Sequence, residues 1–202
     1  MDEQSLQNID RALLDLFTSR VRIKILRVFL TSYDKMFYVR EVTRMIDEEV
    51  NAVRRELERL KAIGLLATEK RANRLYYKVR RDFPYYYDLL RMIGKSTGFA
   101  QKVRDYKDKL GVVKFVMFST AFVQGMPADA NRIDAMFVGQ FKLETLQALV
   151  REHEELSGRE INYTVMTEEE FEFRKKRNDA FIREVLSQPQ VVVIGDEVEL
   201  NA

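Results

Sequence analysis

The stretch that most constrains this 202-residue chain is residues 39–79, VREVTRMIDEEVNAVRRELERLKAIGLLATEKRANRLYYKV, because its apolar residues change period within it. Val42 and Ile46 are four apart. Val50, Val53, Leu57 and Leu60 follow at intervals of three and four, so each set shares one helix face. The spacing predicts helices over 39–46 and 49–63 with a tight turn around Asp47–Glu49, and Gly64 as the stop. Beyond it, Leu65 to Glu69 and Leu75 to Val79 predict two strands, with Arg71, Ala72 and Asn73 in the turn: a basic β-hairpin directly after a helix.

The preceding segments follow the same logic. Residues 1–8 read as disordered. Ile9, Leu13, Leu14 and Phe17 make a short helical stripe over 9–17. Ser19 is placed to cap a helix over 20–31, where Val21, Ile25, Val28 and Phe29 recur at helical spacing. Phe37 and Tyr38 form a short extended piece. After the hairpin, residues 82–96 predict a helix with Asp82 as cap and Pro84 in the first turn. The reading of Tyr85, Tyr86 and Tyr87 is packing between domains. A further helix is expected over 99–110, and the domain boundary near Ser96–Thr97–Gly98.

The second half alternates. VVKFVMF (112–118), IDAMFVG (133–139), REINYTVM (159–166, with Ile161, Tyr163 and Val165 on one face) and VVVIG (191–195) read as strands. LETLQALVREHEELSG (143–158) is an amphipathic helix ended by glycine, and EEEFEFRKKR and DAFIREVL are helical. The expected fold class is mixed α+β in two domains, residues 1–96 and 97–202, the second a small sheet covered by helices.

Charge separates the halves. Residues 1–100 carry 20 Lys/Arg and 14 Asp/Glu, residues 101–202 carry 14 and 18, and residues 51–81 alone carry 10 basic against 3 acidic side chains. A basic half joined to an acidic one points to one part that meets polyanions and another that does not. With no cysteine, disulfides, thiolate metal sites and cysteine nucleophiles are excluded. His153 is the only histidine, and its charged surroundings read as a solvated helix surface. The acidic, polar start is not a secretory signal. No apolar run approaches the roughly 18–20 residues of a membrane span. A cytoplasmic, nucleoid-associated chain is the expectation.

A helix-turn-helix presents its second helix to the major groove. With Val50, Val53, Leu57 and Leu60 turned to the core, the opposite face of 49–63 carries Asn51, Arg55 and Glu58, with Arg54 on the flank. Asn reads adenine and Arg reads guanine there. Glu56 and Glu58 neutralise part of the basic charge. Arg71, Asn73 and Arg74 on the hairpin are placed to follow a phosphate backbone or reach the minor groove. On these residues, 14–80 resemble the winged-helix domain of ArsR-like and MarR-like prokaryotic regulators. The resemblance implies homodimeric binding to a partly palindromic operator on double-stranded DNA. Whether a dimer would form through residues 1–17, the Tyr-rich helix or the second domain is left open.

Residues 95–195 are similar to the minimal nucleotidyltransferase domains of the polymerase-β-like superfamily. Working members carry a Gly-Ser turn after the first strand, Asp-x-Asp on the second and a third carboxylate on a later strand, which together hold nucleotide phosphates and two metal ions. This chain departs from that pattern. Phe118 and Ser119 stand at the turn, with the register open by one residue, and a phenylalanine there would block close backbone approach. Arg132 stands in place of the first acid, and Asp134 survives as the second. Glu160 or Asn162 is the third position. An arginine two residues from Asp134 repels a cation and offers Asp134 a partner instead. The expectation is therefore a catalytically inactive domain with no metal and no cofactor, serving dimerisation or the sensing of an anionic ligand beside Arg132. The leading function is a sequence-specific DNA-binding transcriptional regulator. The alternatives are an antitoxin-like or architectural protein with a helical protein partner, and an active nucleotidyltransferase.

Overall fold

The computed structural model describes residues 11–201. The expected disorder over 1–8, and Ile9, lie outside them. The chain divides into two compact units that meet at Thr97 and Gly98, and the fold is mixed α+β.

In the first unit, α1 (Arg11–Leu16) leads to α2 (Arg20–Leu30). Ser19 starts α2, its Oγ accepting from the Arg22 N–H at 3.2 Å. A two-residue strand, β1 (Phe37–Tyr38), runs directly into α3 (Val39–Ile46). The chain turns at Asp47 in the left-handed region (φ 48°) and enters α4 (Val50–Ala62). Glu49 starts α4 by accepting from the Asn51 and Ala52 N–H groups, both at 2.8 Å; a carboxylate suits the positive end of a helix. Val42, Ile46, Val53 and Leu57 are all fully buried. Each buried Val or Leu contributes about 1.5–3 kcal/mol relative to an exposed one.

Gly64, at φ 84°, ends α4, and the Leu65 N–H closes it on the Leu60 carbonyl at 3.0 Å. β2 (Leu66–Arg71) and β3 (Arg74–Val79) then pair antiparallel with Arg71 opposite Arg74, so Ala72 and Asn73 alone form the turn. β1 adds to the other edge of β3, giving the order β1-β3-β2. Asp82 does not cap the next helix: it forms a fork with Arg80 at 2.6 and 3.1 Å, and α5 (Tyr86–Lys95) starts four residues later. Tyr86 is buried, whereas Tyr85 and Tyr87 are exposed.

In the second unit the expected 99–110 helix is broken at Tyr106 into α6 (Gly98–Asp105) and α7 (Lys107–Leu110). β4 (Gly111–Ser119), α8 (Thr120–Val123), β5 (Ala135–Phe141), α9 (Leu143–Ser157), β6 (Tyr163–Met166), α10 (Glu168–Lys176), α11 (Ala180–Ser187), β7 (Gln190–Ile194) and α12 (Glu197–Asn201) follow. The sheet order is β6-β5-β4-β7, with β5 and β6 parallel and the other pairs antiparallel.

Strand alternation feeds two cores. Val116, Phe118 and Phe137 pack with residues of α6 and α9 on one face. Phe115, Met117, Met136 and Val138 pack with residues of α10, α11 and α12 on the other. A strand buried on both faces reads as a continuous apolar run, which is how VVKFVMF and AMFVG look. Gly139 sits at φ 143° beside an irregularity in β4, and a Cβ there would overlap the Val112 carbonyl oxygen. Gly139→Ala is expected to lower stability by about 1–3 kcal/mol, read as an earlier denaturation midpoint. An unchanged midpoint would contradict this β4–β5 register.

Candidate nucleic-acid interface

The solvent face of α4 carries Asn51, Arg54 and Arg55, all exposed. Around them the carboxylates are already engaged. Glu56 is buried and takes Arg22 and Arg59, each at 2.9 Å. Glu58 accepts from the Tyr77 hydroxyl at 2.5 Å and pairs with Lys61 at 3.2 Å. Among the described residues, Arg54 and Arg55 form no ion pair and no hydrogen bond. Their charge is therefore presented outward, less neutralised than a count of the helix residues suggests. Burial, and then the Glu58 bond, push the Tyr77 phenol far above its ordinary range, so Tyr77 stays a neutral donor linking β3 to α4.

The turn ahead of α4 is fixed from behind. Lys24 is 1% exposed; its Nζ donates to the Ile46 carbonyl at 2.8 Å and pairs with Glu48 at 2.6 Å. This satisfies a C-terminal carbonyl of α3 that would otherwise be orphaned. Arg40 and Arg44 of α3 are also exposed, an addition to the basic surface that the sequence reading passed over.

On the hairpin, Arg71, Asn73 and Arg74 are exposed. Arg71 and Arg74 belong to the strand ends rather than to the loop. Arg71 pairs with Glu69 at 2.7 Å, and the Arg74 guanidinium lies 4.6 Å from the centre of the Tyr38 ring. Tyr38 meets Tyr76 edge to face at 5.5 Å. The Tyr38 ring and a side-chain hydrogen bond with Tyr76 together hold the Arg74 guanidinium at the strand end.

In the second unit, Asp134 is 1% exposed and receives two arginines. Arg132 Nη2 lies 3.3 Å and Arg159 Nη2 3.0 Å from Asp134 Oδ1, and the Asn162 N–H donates to Oδ2 at 3.3 Å. Burial lowers the Arg159 pKa from its ordinary value. Asn162 also donates from its amide to the Ala130 and Arg132 carbonyls at 3.1 and 2.9 Å, pinning the loop before β5.

Four expectations change here. Glu160 does not join the site: residues 159–162 precede β6 instead of belonging to it, Glu160 is exposed, and Arg159 reaches Asp134 in its stead. Ser119 is 3% exposed and its Oγ caps α8 on the Phe122 N–H at 3.1 Å, so the hydroxyl is occupied. Phe118 does not obstruct the turn, because its ring points into the core and stacks on Phe122 at 5.4 Å. His153 also departs from the solvated reading: it stacks on Phe99 at 5.0 Å.

One carboxylate held by two guanidiniums is a poor donor set for a divalent cation, which needs several anionic oxygens. Among the described residues, no group of three His, Asp or Glu side chains is placed to hold a metal ion. No helix among them is long and apolar enough to cross a membrane. Comparison with protein-family models, with curated proteins and with solved structures finds no match.

Proposed function

We propose that this protein is a sequence-specific, double-stranded DNA-binding transcriptional regulator. Its first unit is read as a winged helix-turn-helix, with α3 and α4 as the helix pair, α4 as the reading helix and the β2–β3 hairpin as the wing. The observation that carries the reading is the pair of exposed, unpaired guanidiniums of Arg54 and Arg55 beside Asn51 on the face of α4 opposite its buried stripe. The order α2-β1-α3-α4-β2-β3, with β1 paired to β3, supports it. Arg55 and Asn51 are assigned to base edges, and Arg71, Asn73 and Arg74 to the backbone or minor groove.

The second unit is read as a nucleotidyltransferase-like domain without catalysis. A two-metal mechanism needs paired carboxylates, and here the surviving Asp134 is neutralised by Arg132 and Arg159. Its assigned role is dimerisation or ligand sensing, in a cytoplasmic, nucleoid-associated homodimer.

Wing contacts to phosphate are tested by salt dependence. Replacing Arg71 and Arg74 together by alanine is expected to weaken binding to all duplex sequences alike. The slope of log K against log[salt] should fall by about 0.9 per lost phosphate contact. Fluorescence anisotropy across a salt series measures this. Unchanged affinity and slope would remove the hairpin from the interface.

A further inference from the structure

We propose that the first unit binds a carboxylate carried on an extended hydrocarbon chain, the chemistry of a free fatty acid, in the apolar cavity between α2, the end of α4 and α5. The inference stands apart from the DNA-binding reading and rests on the size, lining and charge of that cavity. Its volume is about 470 Å³, in the range of small-molecule sites. All of its lining residues belong to the first unit.

The lining has two chemistries. Phe17, Leu26, Leu60, Ile63, Leu65 and Leu89 form the body. Five of these six side chains are aliphatic, and none donates or accepts a hydrogen bond. A hydroxyl, amide or ring nitrogen placed against them would lose its water without gaining a partner. A plain hydrocarbon segment meets these walls with no such cost. Ile63 also lines the cavity while 61% exposed. Apolar surface left open to solvent beside charged groups marks a binding groove.

The charged part is Arg22 and Arg59. They share one carboxylate: Glu56 takes Arg22 Nε and Arg59 Nη1, each at 2.9 Å, and Arg22 Nη2 lies 3.5 Å from it. Two guanidiniums on one carboxylate leave one positive charge uncompensated. That charge is open to solvent, the Arg22 and Arg59 side chains being 30% and 65% exposed against 7% for Glu56. Among the described residues, Arg22 Nη1 and Arg59 Nε and Nη2 donate no hydrogen bond. A guanidinium has five donors, and its fork matches a carboxylate. Glu56 holds the inner edges, so a second carboxylate takes the outer ones while its chain enters the cavity. One net charge suits a monoanion.

The test is isothermal titration calorimetry of the full chain with decanoate below its micelle concentration. The expected result is saturable binding of one decanoate per chain. From hexanoate to decanoate the affinity should rise about fourfold for each added methylene, and acetate should not bind. Decyltrimethylammonium, which carries the same chain on a cation, should not bind either. Arg59→Gln leaves the Arg22–Glu56 pair in place and should weaken decanoate binding by about threefold to tenfold. Ile63→Glu sets a carboxylate on an exposed position at the cavity and should weaken it by about tenfold or more. Should Ile63→Glu fail to fold, Ala62→Glu, at another exposed lining position, should show the same loss. Four results would each overturn the proposal: no saturable binding of decanoate, equal affinity for decyltrimethylammonium, an affinity that does not depend on chain length, or unchanged binding in the folded Glu variant.

Discussion

Asp134→Ala is expected to lower the stability of the second unit by about 3–5 kcal/mol, the cost of leaving buried charge unpartnered. Asp134 accepts from two guanidiniums and one backbone N–H. Removing it strands two positive charges next to one another and frees the Asn162 N–H at the start of β6. Domains are stable by about 5–15 kcal/mol in total, so the loss is a large fraction. Replacing all three charged residues with apolar side chains of similar volume (Arg132→Met, Asp134→Leu and Arg159→Met) should recover much of it, because buried ion pairs are often no better than a packed apolar cluster. Urea denaturation of the single and triple variants checks both statements. A single variant as stable as the parent would mean that the three charges do not share one buried cluster.

The second large effect falls on DNA binding and leaves folding untouched. Arg54 and Arg55 are exposed and form no close ion pair, Arg55 acting on the Glu49 carboxylate only through its field, so replacing them with alanine should hardly move the unfolding midpoint. Arg55→Ala should nevertheless cost about 1–3 kcal/mol of binding and relax preference at one base pair. The double variant should lose more. Loss of binding without loss of stability separates a reading residue from a structural one. Glu56→Ala is the contrasting case: it sits 5% exposed between Arg22 and Arg59, so its replacement acts on the fold first.

Much of the first unit was legible because helix and strand periods are local properties. Val42 and Ile46, then Val53, Leu57 and Leu60, could only be buried together if two helices met across Asp47–Glu49, and Gly64 marked where the second had to stop. The site on α4 followed by subtraction, as the face left over. What spacing could not supply was which acids are engaged. Glu56 lies within the charged RRELER run, yet Arg22, 34 residues earlier, draws it inward.

The second unit was legible as strands and helices but not in the detail of its cleft. Residues 159–166 alternate like one strand, and alternation puts residue 159 on the same face as Ile161, Tyr163 and Val165. An arginine on a core face was the available signal that it meets a buried acid. It was passed over because Glu160 offered the expected acid one residue later. The start of α5 was misplaced for a similar reason. Asp82 suits a helix cap, but the nearer Arg80 takes its carboxylate in a bidentate fork.

The most direct measurement is selection of bound duplexes from a random pool at about 0.15 M salt, run in parallel for the parent chain and Arg55→Ala. The reading predicts a recovered motif for the parent, with two half-sites about 10 base pairs apart if it binds as a dimer, and degeneracy at one position of each half-site for the variant. Recovery of unselected duplex by the parent, or of no duplex at all, would contradict sequence-specific reading by α4.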